Sequence, residues 1–316
     1  MTYAVLRFHP DGPPGKGMER WEEMDPAELM SGEPVQNGHT YLEIEAEGYL
    51  AGVWDCTAFV DHMGDYSVDE YMYLLEGTLI MRMPGGEEIH LKAGDAFVIP
   101  KGLKCQWEQP GYIKKFFMIL DGPVPEKGCN RSLTRISVPN VSGGGMAAGS
   151  VSTERVDFVN AAGNMQVRHS THAANAIPSL KVSAHQLIQV LKGSLTLTSD
   201  AGEETFAAGE TAYLTQGSTV GWSTTDGTRL LTQVTSAPPK SNRAGLSGRG
   251  VATRVALRCA LSLGPAEHPI DALQHRFRQA PVRPDERAAG YALDSARPNS
   301  SKRGFPRQAN RLHTHI

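Results

Sequence analysis

Tyr66, Glu70, Cys105, Trp107 and Gln109 are the side chains whose types and spacing could carry chemistry in this sequence. Glu70 is the second residue of the alternating run DEYMYLLEG, and Cys105, Trp107 and Gln109 take every second position of KCQWEQ. If that second run is a strand, these three side chains share one face. A carboxyl group withdrawn from water ionises less readily, so a buried Glu70 could act as a general acid or base, the one catalytic candidate. Cys105 could be a reactive thiolate, but no histidine adjoins it and Lys104 points the other way along the strand. Trp107 could cover a planar ligand or a sugar. Each residue also has a plainer reading: a buried glutamate satisfied by Tyr66 or by backbone groups, an inert thiol, and an indole that only fills a core.

The elements that must hold these residues are read from an internal repeat. Asp69 to Trp107 and His185 to Trp222 share their spacing. Leu75-Glu76-Gly77 matches Leu191-Lys192-Gly193 at an offset of 116, and Gly94, Gly102 and Trp107 match Gly209, Gly217 and Trp222 at an offset of 115. Both segments consist of short alternating runs (YMYLL, TLIMRM, AFVIP; QLIQVL, SLTLTS, TAYLT) separated by Gly, Pro and Asp turns. Such a pattern predicts an all-β sandwich or jelly-roll barrel, built twice. A short helix is expected within residues 17–30, and the Gly-, Pro- and Ser-rich stretch 122–150 reads as a linker.

Composition narrows the function classes. The 316 residues are 40% hydrophobic, enough for two cores. There is no apolar run of the roughly 18 residues a membrane helix needs, nor a basic and then apolar leader, so a cytoplasmic protein is expected. Cys56, Cys105, Cys129 and Cys259 form no CxxC pair, which argues against a disulfide framework or a structural zinc site. Residues 240–316 hold 14 Lys and Arg against 5 Asp and Glu, whereas residues 1–239 hold 17 against 29. An acidic body does not suit nucleic acid. The basic tail has 14 Leu, Ile, Val and Phe in 77 residues and reads as disordered; a nucleic-acid arm is the alternative.

The same segments resemble the cupin superfamily of RmlC-like jelly rolls. The family's first motif is HxH, then Glu, then Gly; its second is G-x5-P-x-G-x2-H-x3-N. Glu70, Gly77, Gly94, Pro100 and Gly102 match this frame. The flanking sequences GVWDCTAF, DEYMYLLEG and GDAFVIPKGLKCQWE are similar to the ureidoglycine aminohydrolase and ethanolamine-utilisation cupins, strongly over residues 40–120 and weakly over 150–235. The resemblance implies a barrel interior on which Tyr66, Glu70, Cys105, Trp107 and Gln109 converge. Its metal site needs three imidazoles and a carboxylate. Here Gly64 and Tyr66 (or Met63 and Asp65) take the HxH places, Cys105 replaces the second-motif His and Gln109 the Asn. In the second repeat Gln186, Leu180, Val182, Thr215 and Val220 take the motif places, while His185 sits one residue early and faces away from the interior. The paired His169 and His172 lie in a loop-like stretch and are read as solvated rather than as ligands.

The expectations are therefore an N-terminal arm (1–40), a first cupin barrel (41–122), a linker (123–150), a degenerate second barrel (151–237) and a tail (238–316). The leading function is a small-molecule-binding bicupin that binds its ligand through Tyr66, Glu70, Cys105, Trp107 and Gln109. Its alternatives are a metal-dependent or acid–base hydrolase acting on a ureido or amide-like compound, and a structural or regulatory cupin. No cofactor is expected, with Mn or another divalent metal as the alternative, and a homodimer is the expected assembly.

Overall fold

Alternating apolar runs separated by glycine turns leave the chain few options other than antiparallel sheet. The computed structural model describes residues 3–121, 132–136 and 152–236. Four antiparallel sheets form two barrels. In the first barrel, one sheet runs Thr134–Ile136, Ala96–Ile99, Asp69–Glu76, Ile113–Leu120, Tyr49–Cys56, Gln36–Ile44 and Glu19–Arg20. The facing sheet runs Glu88–Lys92, Thr78–Arg82, Lys104–Gln109, Phe59–Asp61 and Leu29–Ser31, and Gly64–Asp65 also pairs with Lys104–Gln109. The second barrel has Val5–Phe8, Thr211–Leu214, His185–Lys192, Thr228–Thr235, Met165–His172 and Ser152–Val159 in one sheet. Asn175–Lys181, Thr219–Thr224, Ser194–Ser199 and Gly202–Ala207 form the other.

The repeat glycines mark equivalent turns. Gly77 has φ +82°, and a Cβ there would lie 2.1 Å from the Tyr112 carbonyl oxygen. Gly193 has φ +77°, and a Cβ there would lie 2.5 Å from Thr228 Oγ1. Only glycine fits either turn without displacing its neighbour.

Strand alternation sorts side chains into three cores. Met72, Leu74, Phe117 and Ile119 fill the first barrel, and Ile188, Val190, Leu195 and Leu214 fill the second. The outer faces of the first barrel's seven-stranded sheet and the second barrel's six-stranded sheet meet in a third core, where Tyr71, Val98, Phe116 and Met118 pack with Phe8, Val167, Leu187 and Tyr213. Polar groups are buried at this junction as well. Asn160 Nδ2 donates to Asp69 Oδ2 at 2.9 Å, linking the barrels. His185 faces away from its own barrel's interior and is buried at the junction, against the rings of Tyr49 and Tyr213. Its Nδ1 accepts from Tyr213 Oη at 2.6 Å and from the Gln216 N–H at 3.2 Å, which assigns the ring proton to Nε2, 3.4 Å from Glu47. Burial pushes this imidazole down to about 4, so it is neutral near pH 7.

Several expectations are corrected. Residues 1–40 are not a separate arm. Val5–Phe8 pairs with Thr211–Leu214 of the second barrel, while Glu19–Arg20, Leu29–Ser31 and Gln36–Ile44 belong to the first. Within the expected linker, Thr134–Ile136 completes the first barrel's sheet beside Ala96–Ile99. Each barrel thus gains an edge strand from outside its own repeat. The short helix expected in 17–30 is only the 3-10 turn Pro26–Glu28, capped by Asp25, because strand pairing takes up the flanking residues. The stretch with His169 and His172 is the strand Met165–His172, not a loop. The tail from 238 onward lies outside the described residues.

Candidate functional site

The first barrel's interior is apolar except for one connected polar chain. Glu70 stands on Asp69–Glu76, beside Met72 on the inward face, and is fully buried. One of its carboxylate oxygens accepts from Tyr66 Oη. The other accepts from Lys115 Nζ at 2.8 Å. Lys115 stands on Ile113–Leu120, where alternation places it inward with Phe117 and Ile119. Its side chain runs past Met72, with Nζ 3.1 Å from the sulfur, to reach Glu70. The ammonium lies 4.8 Å from the ring centres of both Trp54 and Trp107. Two indole faces and a carboxylate together stabilise a cation that the core would otherwise exclude.

The indoles are themselves fixed. Trp54 Nε1 donates to Gln36 Oε1 at 2.9 Å, and Trp107 Nε1 donates to Gln109 Oε1 at 3.1 Å. Gln109 Nε2 in turn donates to the carbonyls of Cys56 and Thr57 at 2.7 and 2.8 Å. Phe59 stacks on Trp107 with ring centres 6.4 Å apart. The Trp107 backbone N–H donates to Asp61 Oδ1 at 2.7 Å.

All five residues singled out in the sequence are buried in this barrel, but their parts differ. Glu70 and Trp107 contact the ammonium, and Tyr66 holds the other oxygen of Glu70. Gln109 is committed to two carbonyls and the Trp107 indole, so it positions that ring instead of facing a ligand. Cys105 is buried, and its thiol is pushed up to about 12, mainly by burial and then by the nearby Asp61 and Asp65 carboxylates. It is a neutral thiol at neutral pH, which removes the thiolate reading. Glu70 is a counter-ion with both oxygens engaged, not a free acid or base. Lys115, Trp54 and Gln36 were missing from the sequence reading. The signal for Lys115 was present: in YIKKFFMIL, alternation turns one of the two lysines inward.

The metal set of the cupin resemblance does not fit these residues. Its one retained ligand, Glu70, is held by Tyr66 and Lys115, and a metal would have to displace both. Among the described residues no group of three or more His, Cys, Asp or Glu could hold a metal ion. In the second barrel Val182, Ile188 and Val220 pack into an apolar core, with Gln186 and Thr232 as polar neighbours of Ile188 on the inward face. His169 and His172 do not form a ligand pair. An odd spacing along the strand puts them on opposite faces, with His169 Nδ1 bonded to Asp157 and His172 Nε2 2.8 Å from Ser170 Oγ.

Residues 45–117 match the family model of the EutQ-like cupin domain. The first barrel is a cupin domain. None of the curated proteins matches the chain. Among solved structures, a Pseudomonas syringae pv. tomato protein of unknown function from the DUF861 family is similar at 19% identity and TM-score 0.55, over 73% of this chain and 99% of that one. A Pseudomonas aeruginosa protein named as glyoxylate-induced is similar at 12% identity and TM-score 0.51, over 78% and 100%. At these identities the likeness shows the fold. Among the described residues no helix is long and apolar enough to cross a membrane.

The cupin domain also carries a pH response. Burial pushes the Asp61 carboxyl up to about 8, against the pull of the Trp107 N–H. The folded chain therefore keeps a proton that the unfolded chain releases near pH 4, and stability falls as pH rises between those values. His185 acts oppositely but only below about 6.5, where the unfolded imidazole binds a proton that the folded one refuses. From pH 6.5 to 8 the Asp61 effect amounts to about 1–2 kcal/mol. The Asp61→Asn variant should flatten that window in urea midpoints taken at pH 6.5 and 8. An unchanged slope would mean that Asp61 titrates normally.

Proposed function

We propose that the chain is a cytoplasmic bicupin whose first barrel binds a small neutral molecule bearing an amide- or ureide-like carbonyl, without a metal. The observation that carries this reading is the buried Lys115 ammonium. Among the described residues its one oxygen partner is Glu70; its other contacts are a thioether and two indole faces. An ammonium has three donors, so hydrogen-bonding capacity remains for a ligand oxygen. Charge selects the ligand. Lys115 and Glu70 cancel, and adding a carboxylate would leave an unpaired negative charge in an apolar core. A carbonyl oxygen accepts the bond without that cost, and a planar amide also suits the flanking indoles. Buried ion pairs contribute little net stability compared with apolar residues of the same size, so stability alone does not account for this one.

Among the described residues the second barrel holds no buried ion pair like that of Lys115 and Glu70, which argues against placing a ureidoglycine-type reaction there. Its part in this reading is support for the first barrel through the shared core. The test is a thermal-shift panel of acetylurea, N-methylacetamide, acetate and glucose on the full chain. The first two should raise Tm by about 5 °C near saturation, with little effect from the others. A response to acetate alone, or to none of the four, overturns the proposal.

A further inference from the structure

We propose that the Lys115 ammonium is the resident cation of the first barrel and supplies the positive charge at Glu70 for which the barrel lacks metal ligands. As the barrel's charge at a ligand oxygen, it rests on the binding reading above; as the cation of the fold, it stands without it. Three features make this a built cation site. Glu70 is fully buried, and a carboxylate there requires a counter-charge. The counter-charge comes from the chain itself, from a lysine whose side chain is 4% exposed, on a strand two places across the sheet from Gln36–Ile44 and directly beside the Glu70 strand. Two indoles, each fixed by its own hydrogen bond to a glutamine, present their faces to the same point. Carboxylate plus paired aromatic faces is the chemistry that recognises an organic ammonium ion. The barrel holds that ion covalently, at the end of a lysine side chain, where it can also donate to a ligand oxygen.

Chemical rescue of the full-length Lys115→Ala variant tests this. The deleted atoms correspond to n-propylamine. The variant should melt about 10 °C lower than the parent. Millimolar n-propylammonium chloride should restore at least half of that loss, and 1-propanol should not. Equal rescue by 1-propanol would show that only volume is missing and would overturn the proposal. If Lys115→Ala does not fold, Lys115→Arg and Lys115→Met decide: the guanidinium should retain most of the parent Tm and the thioether should not. Equal melting of the two would overturn it. Elemental analysis of parent protein purified without chelators should find less than about a tenth of an equivalent of transition metal. A stoichiometric metal whose removal lowers Tm would also overturn it. Failure of the amide panel with successful rescue sinks the binding reading alone.

Discussion

The Lys115→Met variant will be less stable than the parent by about 3–5 kcal/mol, and adding Glu70→Gln to it will return most of the loss. Methionine fills nearly the same space as the lysine stem, so the packing against Met72 and the indoles survives. What is lost is the charge facing Glu70, whose carboxylate is fully buried. Tyr66 still donates to one oxygen, but a single neutral donor does not replace an ammonium. Glutamine at 70 removes the orphaned charge and can still accept from Tyr66. Equilibrium urea unfolding of the parent, the two single variants and the double variant closes a cycle that isolates the pair. A coupling energy of at least about 2 kcal/mol is expected for a contact this close and this dry. A double variant no more stable than Lys115→Met would mean that the two charges do not face each other in solution.

The scaffold around this pair was legible because it rests on local rules. Alternation in DEYMYLLEG turned Glu70 inward, and the glycines at 77 and 193 marked turns that the fold uses twice. Trp107 and Gln109 were also placed correctly on one face. Lys115 escaped because a lysine is read by default as a surface residue, although its parity with Phe117 and Ile119 pointed inward. Trp54 escaped because the strand Tyr49–Cys56 is buried on both faces and gives no single inward stripe. The helix expected in 17–30 failed for another reason. Local polarity there resembles a helix start, but the pairing of Glu19–Arg20 and Leu29–Ser31 with distant strands overrides it. Longest in range is the pairing of Val5–Phe8 with Thr211–Leu214. Nothing in four residues names a partner some two hundred positions away.

That same strand carries the second large effect: Phe8→Ala should cost about 3–5 kcal/mol. Phe8 is 3% exposed and stacks on Tyr41 with ring centres 4.2 Å apart. It also meets Phe116 of the first barrel and Tyr213 of the second, each at 5.9 Å. One ring therefore touches both barrels, while Val5, earlier on the strand, packs into the second barrel's own core. Arg7 offers an internal control. It bonds Glu210 at 2.7 Å and lies over the Phe206 ring, but it is at the rim, so Arg7→Ala should cost no more than about 1–2 kcal/mol. Because the lost ring belongs to the core the barrels share, Phe8→Ala should shift a single unfolding transition to lower denaturant without splitting it. Intrinsic fluorescence and far-ultraviolet circular dichroism, followed through the same urea series, read the two barrels together. A loss below about 1 kcal/mol would show that the N-terminal strand lies on the second barrel without helping to hold the pair together.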